Sequence, residues 1–103
     1  MSDIKPVLTL PIKRKWFDMI LSGKKKEEYR EIKPYYKARF RKAFAAEQDS
    51  AKPVCFRNGY SAKSPSFIAD CRLSIGIGNT EWGASANTTY YILHIEHIHG
   101  RIE

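Results

Sequence analysis

The chain has 103 residues, 43% of them hydrophobic, and a formal charge of +7; this is the size of one domain, residues 1–103, and a composition that excludes wholesale disorder. No apolar run approaches the roughly 20 residues that cross a bilayer, and Met1-Ser2-Asp3-Ile4-Lys5-Pro6 lacks the apolar segment of a secretory signal, so a cytoplasmic protein without membrane association is expected. Residues 1–52 hold 14 Lys and Arg against 7 Asp and Glu, and residues 53–103 hold 4 against 4; the asymmetry points to a basic face and a polyanionic partner, or to generic solubilising charge.

Residues 7–12 read as a first strand, apolar at Val7, Leu8, Leu10 and Ile12. Lys13 to Ser22 then reads as a helix, with Trp16, Phe17, Ile20 and Leu21 on one stripe. Gly23 suits the left-handed position after the helix, and Lys24, Lys25 and Lys26 lie past the negative end of its dipole. Lys26 to Lys33 reads as a strand almost without apolar residues: Glu28 and Arg30 share one face, and Tyr29 stands between Glu27 and Glu31 on the other. A strand in so small a domain is expected to give one face to the core, and opposite charges buried there must serve each other or a ligand.

Pro34 opens a second helix whose buried side is Tyr36, Phe40, Ala43 and Phe44, with Lys37, Arg39, Arg41 and Lys42 on the rest. Residues 47–53 read as a loop, Val54 to Arg57 as a short strand and Asn58-Gly59 as a turn. After the small-polar stretch Ser61 to Ser66, Phe67 to Ile77 reads as a long strand with Phe67, Ala69, Cys71, Leu73, Ile75 and Ile77 on one face, and Gly76 and Gly78 mark a bulge near its end. Asn79 to Asn87 is irregular and contains Trp82, which could roof a cleft or plug the interior; Thr88 to Ile98 forms the last strand. Five strands and two early helices that do not alternate regularly predict an α+β domain, a mixed and mostly antiparallel sheet rolled toward a small β-barrel.

Gly23-x-Lys25-x-x-Glu28-x-Arg30, following a helix with Trp16 and a strand ending in Pro11-Ile12-Lys13, resembles the signature of the ASCH domain, a family of the PUA-like superfamily of small barrels. The resemblance is sharp over residues 7–37 and general elsewhere. It implies a cleft beside the first helix, lined by the signature, that takes RNA or a nucleotide-like ligand. One bacterial branch of the family hydrolyses the acetyl amide of N4-acetylcytidine with the signature Lys as base and a Thr three residues later as nucleophile. Here Lys25 is present but the later position holds Glu28, and a carboxylate changes that chemistry. Neither Glu81 nor Glu96 sits in a motif matching that branch's third catalytic group.

The candidate ligand-binding residues are Lys13, Trp16, Lys25, Glu28, Arg30, Arg57 and Asn58. Lys25 can pair a phosphate or, if desolvated, act as a base; otherwise it neutralises the helix end. Arg30 held by Glu28 suits a phosphate or a base edge, with an ion pair across the barrel mouth as the purely structural reading. Lys13, Arg14 and Lys15 crowd a helix start, where an anion would dock; they also read as a solvated cluster. Trp16 and Tyr29 can stack a base, though Trp16 also belongs to the core stripe. Tyr35, Tyr36, Arg39 and Arg41 read as a single-stranded RNA surface or as a plain basic helix face. Arg57-Asn58 reads as a contact for base or phosphate, or as turn chemistry.

Cys55 and Cys71 read as buried free thiols. His94, His97 and His99 have no zinc spacing, so no metal or other cofactor is expected, and no Ser/His/Asp order stands out; a His94–Glu96 pair on one strand face would be an acid–base couple or simple packing. The reading is an RNA- or modified-nucleoside-binding domain with a basic cleft. Its rivals are a hydrolase on the same scaffold, an amidohydrolase or ribonuclease with Lys25 and Glu28 as catalytic pair, and a basic protein-interaction module.

Overall fold

The computed structural model describes residues 4–44 and 50–102. Five strands, β1 (Leu8–Pro11), β2 (Glu27–Glu31), β3 (Lys52–Arg57), β4 (Ser66–Ile77) and β5 (Thr89–Ile102), form one sheet in the order β1-β3-β4-β5-β2. Among the described residues only β1 and β3 pair in parallel; the other neighbours are antiparallel. The sheet curls into a half-barrel, and α1 (Arg14–Leu21) and α2 (Pro34–Phe44) complete the α+β fold.

The apolar stripe of α1 explains its seat: Phe17 and Ile20 are fully buried, and Phe17 meets Phe67 edge-to-face at 5.1 Å. Gly23 ends the helix at φ +83°, with Gly23 N–H donating to the Ile20 carbonyl at 3.0 Å and Lys24 N–H to the Met19 carbonyl at 2.9 Å. This pair of bonds satisfies two orphan carbonyls and turns the chain sharply into β2. From α2, Phe40 and Phe44 enter the core, where Phe40 packs on Tyr91 at 5.0 Å. The core also takes Leu8, Leu10, Val54, Phe56, Ala69, Cys71 and Leu93.

The end strands β1 and β2 have no ladder between them. Their gap is clasped by a side chain: Arg30 Nη2 of β2 donates to the Pro11 carbonyl of β1 at 2.8 Å. Glu28 and Arg30 lie opposite Leu93 and Tyr91 of β5, on the interior face, while Glu27, Tyr29 and Glu31 lie opposite His94, Ile92 and Tyr90 on the other. The charged strand thus gives its charges, not apolar side chains, to the inside.

The structure refines the sequence reading at several points. Lys52-Pro53, read as loop, begins β3, because Pro53 stands beyond the β1 ladder and needs only its carbonyl, which accepts Val7 N–H at 2.8 Å; residues 47–49 of that expected loop lie outside the described residues. The single apolar face expected along β4 is present, with Leu73 and Ile75 opposite Leu93 and Tyr91, but its cover runs out: Ile75 and Ile77 are 61% and 58% exposed, where β3 no longer accompanies β4 beyond Cys71. The bulge expected at Gly76 and Gly78 is replaced by register shifts at Ile68/Ala69 and Asp70/Cys71. β5 continues past Ile98 to Ile102. Cys55 and Cys71 are buried free thiols, and burial pushes the Cys71 thiol far up. Among the described residues no helix is long and apolar enough to cross a membrane.

Candidate functional site

A cleft of about 770 Å³ opens between the start of α1, strand β2 with the residues after it, and the segment joining β4 to β5. Trp16, Tyr29, Tyr36 and Tyr90 supply its aromatic surface, Lys13, Arg30 and Lys33 its cations, and Glu28 and Glu31 its carboxylates. Its volume lies in the range of small-ligand sites.

Glu28 organises the floor. It is 7% exposed and holds two cations at once, Lys25 Nζ at 3.1 Å from Oε1 and Arg30 Nη2 at 2.8 Å from Oε2. Arg30 Nη1 also donates to Tyr36 Oη at 3.3 Å, so one guanidinium ties β2 to β1 and to α2. Arg30 Nε is buried without a hydrogen-bond partner among the described residues. A buried polar nitrogen without a partner carries a desolvation cost.

Lys25 is the surprise of the site. Its side chain is 1% exposed and lines no part of the cleft. The ammonium donates to the Trp82 carbonyl and lies 4.8 Å from the Trp16 ring centroid and 5.0 Å from that of Tyr29. Burial pushes its pKa below the usual lysine value, and Glu28 pulls it back up. The position past the helix end is therefore neither a solvated dipole partner nor an open anion contact, but a buried cation beneath the aromatic wall. Trp82 acts through its backbone, anchoring the short 3-10 turn Thr80–Trp82 to Lys25. After that turn Gly83 adopts φ +102°, and a Cβ there would lie 2.9 Å from Trp16 Cζ2. The tight approach sets the position of the Trp16 ring.

Lys13 caps α1 at its N-terminus, exposed at the cleft rim, with no side-chain capping bond. Trp16 is half-buried, a wall of the cleft and a core neighbour together. Its outer side meets Lys15, whose ammonium lies 4.6 Å from the ring centroid, while Arg14 turns to Asp18 at 3.6 Å. Tyr29 donates to Glu27 Oε1 at 2.6 Å and accepts Asn79 N–H at 2.8 Å; burial, then the Glu27 bond, pushes the phenol pKa up.

Arg57 and Asn58 are not brought to the cleft. The Arg57 carbonyl accepts Ile12 N–H at 2.8 Å and Asn58 N–H donates to the Pro65 carbonyl at 2.8 Å, the bonding of a strand end and turn. Of the aromatics on α2, Tyr36 enters the cleft, whereas Tyr35 stands 56% exposed under Arg39 at 4.5 Å. Of the two readings of His94 and Glu96, an acid–base couple does not occur: Glu96 bonds Arg72, and His94 turns to Glu27. His99 Nε2 is 2.9 Å from Asp70 Oδ1, and among the described residues no three His, Cys, Asp or Glu are placed to hold a metal ion. The sequence reading missed Lys33, Ser85, Thr88 and Tyr90 as cleft residues. Tyr90 opposes Glu31 across the β2–β5 ladder, and Ser85 N–H donates to its hydroxyl at 3.0 Å; its place in the cleft follows from that pairing, which alternation along one strand does not reveal.

Comparison of the chain with protein-family models, with curated proteins and with solved structures finds no match.

Proposed function

We propose that this chain is an ASCH-like domain that binds RNA or a modified nucleoside in the cleft beside α1. The observation that carries the reading is a single space of about 770 Å³ lined by Trp16, Tyr29, Tyr36 and Tyr90 together with Arg30. Aromatic faces stack any base, and a guanidinium in the lining suits a phosphate or a base edge. Lys13 and Lys33 at the rim favour the attached backbone. The signature Gly23-x-Lys25-x-x-Glu28-x-Arg30 supports the same reading through its resemblance to the ASCH domain.

In this reading Lys25 is a positioning residue: it fixes Glu28, and Glu28 fixes Arg30. Catalysis by Lys25 and Glu28 would require the ammonium to leave both Glu28 and the Trp82 carbonyl, so the geometry favours binding over hydrolysis. The test is a titration with single-stranded RNA, duplex RNA and N4-acetylcytidine, followed by residue-resolved NMR and by Trp fluorescence. Shifts centred on Lys13, Trp16, Arg30 and Tyr90 are expected. Shifts spread over residues 37–42 alone, or no shift at low salt, would remove the cleft as the binding site.

A further inference from the structure

Strand β4 outruns one of its neighbours. β3 accompanies it only as far as Cys71, whereas β5 stays paired with it to Ile77. Among the described residues the edge of β4 away from β5 therefore has no strand partner over residues 72–77. In an antiparallel ladder every second residue turns its N–H and C=O to the same side, so this stretch holds free hydrogen-bonding groups outward. Proteins blunt such edges with charge, proline or a bulge. Past Arg72 the stretch is Leu73-Ser74-Ile75-Gly76-Ile77, with no charge and no proline, and both register shifts of β4 on β5 fall before it.

A groove of about 510 Å³ runs along that edge, separate from the nucleoside cleft, since no residue lines both. Phe40 and Phe44 of α2, Leu73 and Ile75 of β4 and Tyr91 of β5 give it an apolar surface. Leu73, Ser74 and Ile75 all line it, although the Ser74 hydroxyl is bound to His94 on the opposite face of the sheet; the groove thus reaches the open edge of β4 and not only its inner face. Ile77 prolongs the apolar track, and both isoleucines are more than half exposed. The charged lining is Lys37 and Arg41, both exposed and one helical turn apart. Neither is paired with a carboxylate among the described residues. Like charges four residues apart on a helix repel, and an anionic neighbour relieves them.

We propose that the free edge of β4 docks an extended, acidic segment of another protein, which adds to the sheet as a further strand beside residues 73–77. Its backbone completes the open N–H and C=O groups of β4. Every second side chain turns into the groove, apolar over Phe40, Leu73 and Ile75 and acidic toward Lys37 and Arg41. Charge selects this occupant over a second copy of the chain, which carries +7 and would bring two more such cations to the seam. A nucleic acid would meet the two cations but leave the amide edge and the aliphatic floor unused.

The probe is a fluorescein-labelled peptide, Glu-Thr-Val-Thr-Val-Thr-Glu, whose Glu and Val side chains share one strand face. The full chain is expected to bind it, read by fluorescence anisotropy, and to bind the counterpart with Lys at both ends about tenfold more weakly. N-methylation separates strand addition from plain charge attraction. Of the two alternate sets of peptide amides, one faces β4 and should lose binding when methylated, while the other tolerates it. Ile75→Glu, at an exposed position, should lower affinity roughly tenfold. Lys37→Glu with Arg41→Glu should lower it by a similar factor and turn the preference toward the Lys peptide. Circular dichroism checks the fold of each variant, and residue-resolved NMR should place the shifts on residues 37–44 and 73–77. No binding at about 1 mM chain, equal loss from both N-methylated sets, or equal affinity for the Lys peptide would overturn the proposal. Displacement of the peptide by single-stranded RNA would overturn it too, as would a dimer in sedimentation that Ile75→Glu dissolves. None of these outcomes bears on nucleoside binding in the cleft.

Discussion

Glu28 stands between two cations with almost no water to help it. Lys25 is 1% exposed and the Arg30 side chain 12%, so each relies on this carboxylate for its countercharge. Glu28→Gln would leave both buried cations without it and free the seam between β1 and β2; a loss of about 3–5 kcal/mol is expected in urea unfolding. Tyr29 gives a test with a pH sign. Burial and the Glu27 bond hold its proton well above the ordinary 10.0, whereas the unfolded chain releases it near that value. Above this pH the unfolded state binds fewer protons, so wild-type stability falls as pH rises. Tyr29→Phe lacks that slope. The variant should be less stable than wild type by about 1 kcal/mol at neutral pH, with the gap narrowing above pH 10.0, as thermal melts across that range would read.

At the scale of elements, the segment between β4 and β5 decides the cleft wall. Its short turn is held from beneath by Lys25 at the Trp82 carbonyl and from the side by Gly83 against Trp16. Gly83→Ala meets two obstacles, a left-handed φ of +102° and a Cβ 2.9 Å from the indole. A loss of about 1–2 kcal/mol in chemical denaturation is expected, together with weaker nucleoside binding read from Trp fluorescence. Gly23 differs: no atom crowds it, and only its φ of +83° would be strained by a side chain. That replacement should lower stability without changing the cleft.

For the whole molecule, the charge distribution matters more than its sum. The excess lies in residues 1–52, which supply the whole of α1, β2 and α2 and so border both grooves. If RNA binds the cleft through Lys13, Arg30 and Lys33, the logarithm of affinity should fall linearly with the logarithm of salt, with a slope of roughly −0.7 per single-strand phosphate engaged. Lys13→Ala, at an exposed cap, should lower that slope by a little under one unit in salt-dependent binding isotherms. An unchanged slope would move the contact away from α1.

The order of elements, the left-handed turn at Gly23, the facing of Glu28 with Arg30 and the buried stripe of α1 were all legible in the chain. Each depends on helical or strand periodicity or on turn chemistry within a few residues. The seating of Lys25 was not, because its partner carbonyl is 57 residues away and arrives only when the β4–β5 segment folds over α1. The exposure of Ile75 and Ile77 follows from where β3 stops pairing, and the contact of His94 with Glu27 from the register of β2 on β5. Alternation along one strand says which residues share a face, but not which neighbour stands opposite or whether a layer covers them. Those are properties of pairing between distant segments, and only the closed sheet specifies them.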